Sequence, residues 1–130
     1  MEKELLNSDK ELLLKDLCAR LPYGAKFKYN KNVYTAKGLD LIVTDEGYWD
    51  YAVTAKSVAP IEIDFIKPYL FPLSSRTEEQ KAELSMLVVG VEDIFKSFLI
   101  EVEFYHKHHI DYRGLIEKSL AIDATGLNIY

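Results

Sequence analysis

Glu103, His106, His108, His109 and Asp111, side chains able to hold a metal or move a proton, crowd into a short stretch of the chain. On a helix Glu103 and His106 lie one turn apart, as do His106 and His109, so one carboxylate and two imidazoles share a face suited to a transition metal. A di-iron carboxylate bundle needs two Glu-x-x-His units with further helix glutamates, and this chain holds one. The same histidines fall where a helix ends, a place where the C-terminal dipole favours imidazolium without any ligand. A metal-dependent enzyme using Glu103, His106 and His109 is kept as an alternative, and no cofactor is expected.

Nucleophilic catalysis finds less support. Ser74, Ser75 and Thr77 sit where helix caps belong, no Gly-x-Ser-x-Gly elbow occurs, and the single Cys18 is remote in sequence from any His. Cys18 lies among Leu17, Ala19 and Leu21 and is expected to be a small buried hydrophobe. One Cys also excludes an internal disulfide. The glycines match no Gly-x-Gly phosphate loop, and carboxylate pairs such as Glu62 with Asp64 fit solvated faces. An enzyme is the less favoured class.

The net charge of -5 disfavours uniform binding to phosphate backbones, but the order of charges is more informative. Between Leu17 and Leu39 lie Arg20, Lys26, Lys28, Lys31 and Lys37 with no acid, and from Asp40 to Asp64 six acids face Lys56 alone. Beside exposed tyrosines, Arg20, Lys26, Lys28 and Lys31 would suit single-stranded nucleic acid. Cross-strand pairing of the basic stretch with the acidic one would instead neutralise both. Nine Tyr and one Trp are rich in the residues that interfaces favour, and Tyr48, Trp49 and Tyr51 are the candidate contacts to a protein partner.

The elements that must position these groups follow from periodicity. A chain of 130 residues, 48% hydrophobic and 28% charged, reads as one domain over residues 1–130. A Ser8–Glu11 capping box and the stripe Leu13, Leu14, Leu17, Leu21 predict a helix from about Asp9 to Arg20, with Asp16 and Arg20 largely outward, ended by Pro22 and Gly24. Period-two alternation then runs through Phe27, Leu39 to Thr44, Trp49 to Ala55 and Ile61 to Phe65. It predicts a small antiparallel sheet of four or five strands, compatible with an SH3-like partial barrel. Pro68 and Pro72 make Lys67 to Ser75 an extended connector. Capping boxes at Ser75 and Thr77 open a long helix from Glu78 to about His106, roughly 43 Å. This exceeds the sheet, so with its second apolar set, Met86, Val89, Ile100 and Phe104, the helix is expected either to be buried on two sides or to contact a second subunit as a homodimer, with Gly90 a bend. Asp111 caps a short C-terminal helix to about Ala121, before a loose tail.

Three segments, Leu21-Pro22-Tyr23-Gly24, the run from Lys67 to Gln80, and Asp111 to Lys118, resemble a group of small uncharacterised proteins encoded by phages, prophages and mobile elements of gut anaerobes. The position of Arg76 is commonly Met in those relatives. The resemblance implies a shared scaffold with a changeable sheet region and carries no activity or catalytic residue. Within the last segment, Arg113 is expected to bridge Asp111 or a neighbouring carboxylate.

The expected molecule is an α+β domain: an N-terminal helix, a small antiparallel sheet, a long helix and a short C-terminal helix. No stretch of about 18 uncharged apolar residues occurs and Met1 to Lys10 lacks the apolar centre of a secretory signal, so a cytoplasmic location without membrane association is expected. The leading function is a non-enzymatic binding or assembly module, with single-stranded nucleic-acid binding and metal-dependent catalysis as alternatives.

Overall fold

The computed structural model describes residues 5–130, so the first four residues of the charged N-terminal stretch lie outside it. Helix α1 (Asn7–Arg20) begins earlier than the Ser8 box predicts, with Leu6 at the cap position and no side-chain cap. Its start is held from outside: Asp64 Oδ1 accepts the Leu5 N–H at 3.4 Å, and Lys10 reaches both Asp50 and Asp64. Pro22 and Gly24 end the helix through a single turn at Leu21–Tyr23. The buried face carries Leu13 and Leu17, and also Asp16 and Arg20, which periodicity had placed outward.

Seven strands follow: β1 (Lys26–Tyr29), β2 (Asn32–Val43), β3 (Trp49–Ala55), β4 (Val58–Glu62), β5 (Ile66–Pro72), β6 (Ile110–Asp111) and β7 (Ile122–Asp123). Their order is β4-β3-β2-β1-β5-β6, with β7 also on β5. The first five pair antiparallel, whereas β6 and β7 run parallel to β5. Among the described residues the sheet is open and mostly antiparallel, and no barrel forms. Because β5 returns beside β1 and is then joined by β6 and β7, nothing brings that side round to β4.

The expected connector is therefore a strand inside the sheet. Its neighbours change along its length: β1 at Ile66–Pro68, β7 at Tyr69–Leu70, β6 at Phe71–Pro72. Each proline is the last residue of a ladder segment, where a missing N–H disrupts least.

The expected long helix is two helices, α2 (Glu78–Val88) and α3 (Ile94–Lys107). Thr77 and Gln80 form the capping box in both directions, while the Ser75 hydroxyl donates to Pro72 O instead. Gly90 at φ +78° breaks the run, and Asp93 restarts it by accepting the Phe95 N–H at 2.9 Å. The final helix is also corrected. Asp111 does act as a cap, taking the N–H groups of Leu115 and Ile116 at 3.0 and 2.9 Å. Gly114 and Ser119 at positive φ then turn the chain away from helical propagation, leaving turns between β6 and β7.

The main core joins Leu13 and Leu17 to Phe27, Ala36, Val53, Ile61, Ile63 and Ile66. Two satellite clusters lie beyond it, one around Leu70, Leu115 and Leu120, the other Phe104, Tyr105 and Ile110. No helix among the described residues is long and apolar enough to cross a membrane.

Candidate functional site

The candidate partner residues lie on the β2–β3 ribbon, where Leu41 stands opposite Tyr51 and Val43 opposite Trp49. Directly opposed residues share a face, so these four side chains form one apolar patch. Further back on the same face Val53 is fully buried in the core and Leu39 packs beside it. The core covers the Leu39–Val53 end of the ribbon, and the Leu41 to Val43 end carries the chain past it. Trp49 is 69% exposed, Val43 54%, Leu41 52% and Tyr51 46%. Tyr48 is exposed beside them.

The opposite face of the ribbon inverts the usual arrangement. Asp50 is buried there and bonds to Lys10 Nζ at 3.1 Å, with Asp64 at 3.2 Å from the same nitrogen. Burial acts to lower the Lys10 pKa, but the hydrogen bonds and charges of both carboxylates outweigh it and raise the value. Nearby, burial and then the charges of Asp50, Asp64, Asp45 and Glu46 raise the pKa of Glu62. The apolar patch continues into a groove of about 970 Å³ against α1, lined by Leu14, Cys18, Leu39, Leu41, Tyr51 and Arg113. Cys18 is exposed, contrary to the expected buried position, because the helix turns Leu13 and Leu17 rather than this face toward the core.

The basic candidates separate. Arg20 is fully buried: its Nε and Nη2 bind Asp16 at 2.8 and 3.0 Å, and Nη1 and Nη2 donate to the Tyr105 and Ile110 carbonyls at 3.2 and 2.6 Å. It cannot meet nucleic acid. Arg113 Nε approaches Asp16 at 3.3 Å, so its carboxylate is Asp16 and not Asp111. Lys26 is tied to the C-terminal residues, its Nζ donating to Ile129 O at 2.9 Å and its backbone N–H to Tyr130 Oη at 2.8 Å. The tail is thereby fixed, not loose: Tyr130 also donates to Tyr69 O at 3.0 Å and stacks on His109 at 3.6 Å. Lys28 and Lys31 are exposed.

Register answers whether the acidic stretch neutralises the basic one. Lys28 faces Val33 on β2 and Lys67 on β5, and the acids Asp50 and Asp64 pair with Lys10 instead. Lys28 and Lys67, with Lys118, line a cleft of about 1000 Å³ that also contains Phe65, Asp9 and Asp64.

The candidate metal residues each have other partners. Glu103 Oε1 accepts from the Tyr23 hydroxyl at 3.3 Å, and His106 Nε2 shares a 2.7 Å hydrogen bond with the Tyr112 hydroxyl. His109 lies past the end of α3 at φ +58°, its ring against Tyr130. Burial, then the nearby Arg20, lowers the pKa of both histidines, that of His109 to about 4. Among the described residues no three His, Cys, Asp or Glu form a group that could hold a metal ion.

Periodicity placed Asp16 outward and gave no sign that the half-buried Lys10 would hold the buried carboxylates of Asp50 and Asp64. The Asp16–Arg20 spacing of four residues was a visible signal, but it reads equally well as a surface pair. No family model, curated protein or solved structure matches the chain.

Proposed function

We propose that the chain is a non-enzymatic binding and assembly module, of a kind a phage or mobile element encodes, which takes a protein partner on its β2–β3 aromatic face. One observation carries this reading: the ribbon keeps the charged Asp50 inside and leaves Leu41, Val43, Trp49 and Tyr51 uncovered. A monomer that needed only stability would bury those side chains, since each is worth roughly 1.5–3 kcal/mol when covered. Trp and Tyr are typical anchors of interfaces, and the adjoining groove extends the contact area. Photo-crosslinkers placed at Trp49 and Tyr51, with one at Ser74 as control, test the reading in producing cells. A discrete adduct with one other protein, absent from the Ser74 control and lost in competition with the wild-type chain but not with Trp49→Ala/Tyr51→Ala, is expected. Adducts equal to the control overturn it.

The nucleic-acid reading keeps one support, the Lys28–Lys67 pair. Like charges directly opposite across a sheet are unfavourable, and a bound anion would relieve them. This reading predicts salt-sensitive binding of single-stranded DNA or RNA that Lys28→Glu with Lys67→Glu abolishes, and absence of binding in low salt removes it.

A further inference from the structure

We propose that the α2–α3 hairpin is the surface through which two copies of this chain pair. Among the described residues the hairpin is anchored at its base, where Leu84 packs on the buried Phe104, Tyr105 and Ile110 and Tyr105 bridges Glu101 and Arg76. Helix α2 has no buried residue, and α3 buries only Phe104 and Tyr105. Toward its tip the hairpin leaves Met86, Val89, Ile94, Phe95, Phe98 and Leu99 between 61 and 78% exposed. Isolated helices shorter than about 12–15 residues are marginal in water, and most helices in proteins are held by cover on an apolar face. Here that cover is not supplied by the chain's own sheet.

Area selects the occupant, and charge sets aside lipid and nucleic acid. The six side chains present on the order of 900 Å² of apolar surface, close to the roughly 800 Å² per partner of a standard interface. The residues around them are mainly acidic: Glu83, Glu92, Asp93 and Glu101, against Lys96. Membrane-surface helices carry Lys and Arg on the polar side, and an acidic rim disfavours both anionic lipid and nucleic acid. A second copy meets the requirement by symmetry. In a two-fold contact the apolar centres coincide while the acidic rims stay at the solvated edge. Val89 to Asp93, the link around Gly90, lies within this contact, so two hairpins pack as a four-helix bundle built from elements other than those that carry the Trp49 patch.

Sedimentation velocity of the full chain at micromolar concentrations tests the pairing. The wild type should sediment at twice the chain mass with a concentration-dependent Tm, and Phe95→Asp or Phe98→Asp should weaken association at least tenfold. Both residues are exposed, so circular dichroism should stay native; Phe98→Ser is the milder variant if it does not. Trp49→Ala should remain dimeric, which separates this proposal from the partner reading. A wild-type monomer at the highest concentration, a dimer unaffected by the Phe variants, or a monomer that instead cosediments with phosphatidylcholine vesicles would each overturn it.

Discussion

Asp16 accepts two N–H groups from Arg20 inside the protein, with Arg113 beside it, and Arg20 in turn holds the carbonyls of Tyr105 and Ile110. A buried charge is costly unless paired, so Asp16→Ala should destabilise by about 3–5 kcal/mol in urea unfolding, because it strands the guanidinium. Replacing both members, Asp16→Leu with Arg20→Met, should cost less than the single change. His109 supplies a second prediction at this scale. Its pKa falls from the ordinary 6.5 to about 4, chiefly by burial, so below 6.5 the unfolded chain binds the proton more readily than the native one. Stability is present above pH 6.5 and is lost as pH falls toward 4, by roughly 3 kcal/mol at most. His109→Asn, which tolerates the positive φ, should flatten that slope in melts at successive pH values. None of these roles was legible in the residues alone. Arg20 and Lys28 belong to the same basic stretch, and only burial distinguishes a structural clamp from an exposed cation.

At the scale of elements, the first helix, the Thr77–Gln80 cap and the alternation of the β2–β3 ribbon were readable because each depends on residues close in sequence, whereas the strand expected from Ile61 to Phe65 ends at Glu62 and gives way to a turn at Ile63–Phe65. Errors arose where one local signal overrode another or met a distant neighbour. The stripe from Leu84 to Tyr105 has a continuous helical period, yet Gly90 at φ +78° and the Asp93 cap divide it. An Ala at 90 meets no atom within 4 Å, so its penalty is conformational alone. Gly90→Ala should therefore cost roughly 1–2 kcal/mol in thermal unfolding. The prolines of β5 misled for the opposite reason: they forbid a ladder only where an N–H is required, and a strand that changes partners tolerates them.

At the scale of the whole molecule, one main core carries α1 and the first four strands plus the start of β5, while the hairpin depends on a small satellite cluster. Backbone amides of β1, β2 and α1 should then exchange with solvent slowest, and those of α2 and the α3 tip fastest, when the chain is dilute enough to be single. Rapid exchange in the main core, or uniform protection throughout, would contradict this division. The two uncovered apolar patches lie on different elements, one on the β2–β3 ribbon and one on the α2–α3 hairpin.

The sequence by itself determined the α+β class, the first helix, the Thr77–Gln80 cap and the aromatic and basic stretches, since these rest on composition and short-range periodicity. Only the tertiary structure decided the open sheet, the burial of Asp16, Arg20 and Asp50, the opposition of Lys28 to Lys67, and the exposure of Trp49 and the hairpin tip. Those outcomes depend on how far each element extends past its neighbour and on which strand lies beside which. Such lengths and pairings are set by contacts between residues far apart in the chain, and no local pattern encodes them.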